Sequence, residues 1–264
     1  MPTLPMERRA EIIRILEAQG SVRVATLAVR FNVTEETIRR DLEALEEQGI
    51  LQRTYGGAVR AGITPVESPV GRRELEHRAE KEAMAQKAVD LIEDGETLFL
   101  DSSTTALALA RALRSKQRLT VLTNGVRIVM ELATRSGYTV IATGGLLRES
   151  SLSFVGPLAE RAVSQYHVDW AFLSCKGFTL ERGMTESNEL EAQLKRLMVS
   201  HAHRAVAMVD SSKFGHVAFA TIVPISDLNI LITDDGAPGA ILDQVRESGV
   251  EVMVAKVDKA NAPA

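Results

Sequence analysis

At 264 residues, 45% hydrophobic and 25% charged, the chain has the composition of an ordinary folded protein of one large or two smaller domains, which excludes a wholly disordered tail protein. Basic residues number 31 against 35 acidic ones, a net charge of -4, so any contact with nucleic acid must be local rather than the work of a bulk positive field. The single cysteine, Cys175, excludes an internal disulfide or a multi-cysteine zinc site, and no signal core or run of about 18 apolar residues is present, so the expectation is a cytoplasmic protein with no membrane partner, no metal and no cofactor.

Residues 1–60 carry nine arginines, no lysine and nine acids. A first helix is predicted over 5–18, with Ile12, Ile13, Ile15 and Leu16 as its apolar stripe and Gly20 as its stop. After Ser21 begins a new unit, a second helix over 24–30 points Val24, Leu27, Ala28 and Phe31 inward, and Asn32-Val33 makes a tight turn. The third helix starts at Thr34 as N-cap, with Glu35 and Glu36 in its positive first turn and Thr37 where a capping box would place an acid. Its Ile38, Leu42 and Leu45 form one narrow core stripe. Arg40 lies nearly opposite, Glu36 beside it, and Thr37 and Arg39 flank it. Glu43 and Glu47 add acid farther along, so only the N-terminal half of this helix suits a phosphate backbone, as in a recognition helix entering a major groove.

After Gly49 the pattern turns extended, with a Gly56-Gly57 turn between two short strands, which reads as a wing. Arg53 and Arg60 would set two charges beside the groove. Asp41 is read as a structural partner for an arginine of the first helix. The run Thr37-Ile38-Arg39-Arg40-Asp41-Leu42-Glu43-Ala44-Leu45-Glu46, followed by Gly49, Leu51, Arg53 and Gly56-Gly57-Ala58, resembles the winged helix-turn-helix of the DeoR family of bacterial transcription regulators. The resemblance implies that Thr37, Arg39 and Arg40 approach DNA. With the cap and wing, the candidate DNA-facing set is Thr34, Glu36, Thr37, Arg39, Arg40, Arg53, Tyr55 and Arg60.

Residues 61–73, rich in proline and glycine, are predicted to be a linker, residues 74–257 a second domain, and 258–264 a frayed tail. A helix over 78–92 ends at Asp94-Gly95. Apolar runs follow at 97–100, 120–122, 139–141, 170–173, 206–209, 230–232 and 252–254, mostly separated by helical segments. Strands apolar on both faces and separated by helices argue for an α/β domain with a mostly parallel sheet, which binds ligands at the carboxyl ends of its strands.

Polar residues gather at those ends. Asp101, Ser102, Ser103, Thr104 and Thr105 lead into a helix N-terminus and read as a phosphate cradle; Thr123-Asn124-Gly125, Thr143-Gly144-Gly145 and Asp210-Ser211-Ser212-Lys213-Phe214 follow later strands. These loops resemble the effector domain of the same family, whose usual loops read Asp-Ser-Gly-Thr-Thr and Asp-Ser-Ser-Lys-Phe; here Ser103 replaces the glycine. The resemblance covers nearly the whole chain. It implies a fold similar to ribose-5-phosphate isomerase and a phosphorylated sugar or related metabolite as ligand.

In those isomerases carboxylates sit just after the fourth strand, whereas here the stretch is Ser174-Cys175-Lys176-Gly177-Phe178, with no acid, which argues against catalysis and leaves a sugar-phosphate isomerase-like enzyme as the alternative reading. Glu191 and Lys195, one helical turn apart, read equally as a surface pair or as pocket residues. Lys176 and Gly177 complete the candidate effector set. Cys175 reads as a small strand-end residue rather than a redox sensor, His201 and His203 make a poor metal pair, and His167 and His216 are loop candidates for ligand contact. The expected protein is a ligand-controlled repressor of a sugar or polyol catabolic operon, acting on operator DNA as a homo-oligomer, a dimer or tetramer.

Overall fold

The computed structural model describes residues 5–19, 21–47, 50–54, 56–60 and 70–257, in one unit of Met1–Glu67 with Ser187–Glu189 and a second of Ser68–Glu186 with Leu190–Ala264. In the first, helix α1 (Pro5–Gln19) buries Ile12, Ile15 and Leu16. A short strand β1 (Ser21–Arg23) leads into α2 (Val24–Phe31), whose Val24, Leu27, Ala28 and Phe31 are all buried. Asn32 ends that helix in the left-handed region at φ 52°, which asparagine tolerates better than most residues. Helix α3 (Glu35–Glu47) then buries Ile38, Leu42 and Leu45 against the other two helices.

Strands β2 (Leu51–Thr54) and β3 (Gly57–Arg60) form the predicted wing, with Gly56 at φ 94° in its turn. The third strand of this sheet is β1, paired antiparallel with β3, which the sequence reading did not anticipate. Three residues are too few to show a period of two, and the strand exists because β3 supplies its hydrogen-bonding partner. Asp41 lies on the core side of α3, 2% exposed, where its carboxylate accepts from Nε of Arg8 at 2.5 Å and of Arg9 at 3.0 Å. It ties α3 to α1, as the sequence suggested.

The second unit opens with α4 (Val70–Leu75), so the end of the stretch read as linker is helical; residues 61–69 lie outside the described residues. Next come α5 (Arg78–Val89), β4 (Thr97–Leu100), α6 (Thr104–Ala112), β5 (Thr120–Thr123), α7 (Val126–Ala133), β6 (Thr139–Ala142), the hairpin β7 (Leu146–Arg148) and β8 (Ser153–Val155), and α8 (Pro157–Val163). The chain continues through β9 (Val168–Leu173), β10 (Gly177–Thr179), β11 (Gly183–Glu186), α9 (Glu189–Ser200), β12 (Ala202–Met208), β13 (Ala220–Thr221), β14 (Ile230–Asp234), α10 (Gly239–Glu247) and β15 (Glu251–Ala255).

All seven apolar runs enter one parallel sheet in the order β15-β14-β12-β9-β4-β5-β6. Leu98 and Leu100 face a core layer with α5, α6 and α7, while Phe99 faces the layer of α8, α9 and α10. Burial on both faces is why the inner strands β4, β5, β9, β12 and β14 read as continuous apolar runs. The chain winds outward from β4 in one direction through β5 and β6, and from β9 in the other through β12, β14 and β15. The order therefore reverses between β4 and β9, and the loops after these two strands open a crevice. The β7–β8 hairpin and the small sheet β10-β11-β13 are insertions at the strand ends that short apolar runs did not reveal.

Candidate functional site

Two surfaces concentrate the residues singled out by sequence. On α3, Thr34 caps the helix by accepting from Thr37 N at 3.2 Å, and its hydroxyl lies 2.9 Å from that of Thr37. Arg40, with its side chain 76% exposed, projects opposite the core stripe and touches Glu36 at 3.6 Å, while Arg39 pairs with Glu35 at 2.6 Å. Exposed pairs of this kind contribute little to stability, so both guanidinium groups can exchange their partners for phosphates. Arg53 is placed differently: its backbone N–H and its Nε each donate to Glu46 at 2.7 Å, which ties the wing to α3. These bonds hold the Glu46 carboxyl below its usual range, the backbone N–H of Arg53 most of all. Tyr55 and the side chain of Arg60 lie outside the described residues.

The second surface is the cleft at the reversal point of the parallel sheet. Loops after β4, β9 and β12 bring Ser102, Ser103, Thr104, Thr105, Lys176, Asp210 and Lys213 to one opening, with Glu191 and Lys195 from α9. Asp101 lies beneath as an organiser. Its Oδ1 accepts from the N–H and hydroxyl of Ser103, at 3.0 and 2.5 Å, and its Oδ2 from Ser174 N at 3.0 Å, joining the β4 and β9 loops. Ser103 is the N-cap of α6, accepting from Ala106 N at 3.0 Å, so the serine found where the family has glycine fills the capping role. Ser102 and Thr104 are left along the mouth, beside the first free N–H groups of α6.

Behind this rim is a buried ionic network. The Lys195 amine donates to Glu186 Oε2 at 2.6 Å and to the Ser174 carbonyl at 2.8 Å, and lies 3.1 Å from Asp101 Oδ2. Burial works against its charge, but Glu186, Asp101 and Glu191 together raise its pKa. Glu191 accepts from Arg148 at 2.6 Å and from the Ser153 hydroxyl at 2.8 Å. Burial pushes its carboxyl up, yet Lys195 and Arg148 outweigh that and hold it at about 2. The two residues are 3% and 5% exposed, so the surface-pair alternative does not hold.

Several candidates do not line the cleft, for definite reasons. The Thr123 hydroxyl accepts from Gly125 N at 3.0 Å, and Asn124 donates to the Phe154 carbonyl at 3.1 Å, so both hold the turn that seats the β7–β8 hairpin. Gly144 and Gly145 have φ of 64° and 117° in the turn before β7, where a Cβ on Gly145 would meet the Val155 carbonyl at 2.7 Å. Gly177 is required by close packing, since its Cβ would lie 2.3 Å from the His216 carbonyl. Cys175 does line the cleft, but it is 5% exposed and burial pushes its thiol up to about 12, which argues against a thiolate sensor. His201 turns its Nδ1 to the Leu197 carbonyl at 2.9 Å, and no metal-binding cluster occurs among the described residues.

The cleft also holds residues the sequence reading missed. Glu186, eight positions beyond the loop free of acids, is carried back by the β10–β11 hairpin and is 1% exposed. Arg73 and His77, from α4 and the turn after it, form another wall. Lys81 is 6% exposed on the buried face of α5 with Met84, Ala85 and Ala88. Its signal was legible: a lysine at i−3, i−4 and i−7 from an apolar stripe lies on the wrong face for a solvated charge.

Comparison with known proteins places both regions. A model described as "DeoR-like helix-turn-helix domain" matches residues 8–64, and one described as "DeoR C terminal sensor domain" matches residues 76–235. The chain is 42% identical over 97% of its length to an uncharacterized HTH-type transcriptional regulator, YulB, of Bacillus subtilis (strain 168), covering 99% of that protein. It is 36% identical to the HTH-type transcriptional regulator GolR of Listeria innocua (96% and 99% covered) and 39% identical to a putative aga operon transcriptional repressor of Escherichia coli O157:H7 (94% and 93% covered). Among solved structures, ribose 5-phosphate isomerase A of Methanocaldococcus jannaschii aligns with 53% of this chain and 55% of its own at 17% identity, with a TM-score of 0.39.

Proposed function

The chain belongs to the DeoR family of helix-turn-helix transcriptional regulators, and from that premise we propose that it represses a sugar or polyol catabolic operon under the control of a phosphorylated sugar bound in the C-terminal cleft. The observation that carries the ligand class is the convergence, at the reversal of strand order, of the α6 N-terminus, the hydroxyls of Ser102 and Thr104, and the ammonium groups of Lys81, Lys176 and Lys213. Backbone N–H groups and cations facing one opening favour an anion, and the small hydroxyls suit a polyhydroxylated one. The acids of the cleft are engaged: Lys195 holds Glu186 and Asp101, and Arg148 holds Glu191. That arrangement supports binding over proton abstraction, in keeping with relatives that are named regulators and a repressor rather than enzymes. One relative is named for an operon it is thought to repress, which supports repression as the sign of the effect.

A recognition helix on a nearly neutral N-terminal domain gives weak binding by itself, so the reading includes a homodimer or tetramer that reads half-sites spaced by about 10 base pairs or a multiple. The direct test is binding to DNA upstream of its own gene and neighbouring operons at near-physiological salt, with and without a panel of phosphorylated sugars. Specific binding released by one of them is expected; specific binding indifferent to every compound would leave a constitutive DNA-binding protein and remove the effector. Within that assay Arg40→Ala should weaken operator binding by about tenfold and lower the salt slope by about one, the loss expected for a groove-facing arginine. Unchanged affinity would mean that α3 does not enter the groove by its Arg40 face.

A further inference from the structure

One edge of the parallel sheet lacks the devices that normally keep strand edges apart. Strand β6 pairs with β5 alone, and the N–H groups of Thr139 and Thr143 donate to the carbonyls of Leu119 and Thr123 on that side. Peptide directions alternate along a strand, so the N–H and C=O groups of Val140 and Ala142 point outward, and no strand among the described residues meets them. Natural edges are blunted by charge, by proline or by a bulge. Residues 136–147 contain no charged residue and no proline, in a chain that is 25% charged. The opposite edge, β15, is guarded at its two ends by exposed Glu251 and Lys256. Exposed apolar side chains also gather beside β6: Leu146 and Leu147 on β7 and Leu158 on α8 are each more than half exposed. They lie together because a Cβ on Gly145, next to Leu146, would sit 3.2 Å from the Cβ of Ala159, next to Leu158.

We propose that the β6 edge is where a second copy of this chain docks, strand against strand and antiparallel about a twofold axis, so that two seven-stranded sheets become one. This names the surface behind the homodimer proposed above and rests on that reading. A twofold axis normal to the sheet lays identical edges antiparallel, and the outward groups of β6 fix the register. Val140 exchanges both of its hydrogen bonds with Ala142 of the second copy, Ala142 does so with Val140, and Ile141 falls on the axis opposite its own counterpart. The chemistry of the edge selects this occupant. An uncharged strand meets its own image without like-charge repulsion, and it offers no countercharge to nucleic acid or to a charged peptide. Past Thr143 the second strand runs by Gly144, which has no side chain to obstruct it. A four-residue strand falls short of the roughly 800 Å² per partner that a stable dimer buries, and the three exposed leucines add apolar area next to it.

The test follows the mass of the full-length protein by analytical ultracentrifugation over a dilution series. Val140→Pro removes an N–H that β5 does not use and leaves the ladder to β5 whole, so it is expected to fold with an unchanged circular dichroism spectrum. It should sediment at half the wild-type mass, or raise the dissociation constant at least about tenfold, as for loss of two backbone hydrogen bonds. Ile141→Cys gives an independent readout. The two introduced thiols face each other across a pair with Cα atoms about 4.5 Å apart, within disulfide reach, and should join the two copies under a mild oxidant. Thr139→Cys is the control, because its copies lie roughly 13 Å apart along the strands and should stay uncrosslinked. The native Cys175 is buried and adds no background. An oligomeric wild type whose mass Val140→Pro leaves unchanged, or whose copies crosslink no better through Ile141→Cys than through Thr139→Cys, would overturn the assignment and leave the homodimer to another surface. If Val140→Pro does not fold, the crosslink decides by itself. A wild type that is monomeric throughout would remove the homo-oligomer reading and this one with it.

Discussion

Replacing Lys195 by methionine is expected to destabilise the C-terminal domain by about 3–5 kcal/mol, the usual cost of removing one partner from a buried ionic cluster. The amine lies within 2.6 Å of Glu186 and 3.1 Å of Asp101, and both carboxylates are buried at 1% and 0% exposure. Without it, two acids remain in the interior with their solvation lost. Equilibrium unfolding in urea should show the midpoint fall with little change in slope. The double variant Lys195→Met/Glu186→Leu should recover part of the loss, because an apolar pair needs no countercharge. If single and double variants are equally unstable, the loss comes from packing and not from charge. The same network sets an acid limit. Glu191 is held at about 2 against an ordinary 4.5, so the folded state binds its proton less tightly than the unfolded chain does. Its contribution is complete above pH 4.5 and is lost as pH falls from there toward 2. The wild type's margin in stability over a Glu191→Gln variant should therefore be full above pH 4.5 and shrink across that window.

The second large effect is expected in the N-terminal domain. Asp41→Ala removes the carboxylate that binds Arg8 and Arg9, with Arg8 only 5% exposed, and should cost about 3 kcal/mol or more. A domain of this size has a total stability of roughly 3–9 kcal/mol, so this one substitution consumes much of it. Operator binding should be lost even though Asp41 faces away from the groove, because α3 is no longer fixed on α1. Fluorescence anisotropy with operator DNA measures that loss, and calorimetry with a sugar phosphate should show the sensor domain unaffected. Retained operator affinity would place the anchoring of α3 in its apolar stripe alone.

Much of the architecture could be read from local pattern. Ile38, Leu42 and Leu45 marked the buried stripe of α3 and thereby its free face, and Asp41, polar beside that stripe, pointed to a salt bridge within the domain. The strands of the parallel sheet were visible because each is apolar on both faces. Family membership followed from motifs that are contiguous in the chain. What stayed hidden was which strand ends meet. Thr123, Asn124, Gly144 and Gly145 sit at strand ends as polar as those of Ser102 or Lys213, but β5 and β6 lead away from the reversal point, and their turns seat the β7–β8 hairpin. Glu186 enters the cleft only because β10 and β11 fold back over ten residues, and Lys195 is a ligand of Asp101 only because β9 lies next to β4. Amphipathic period, capping and burial are properties of neighbours in sequence, so the chain itself determined its helices, its strands and the exposed face of α3. Strand order and ion-pair partners depend on contacts between residues tens of positions apart, so only the tertiary structure decided which charges share the cleft.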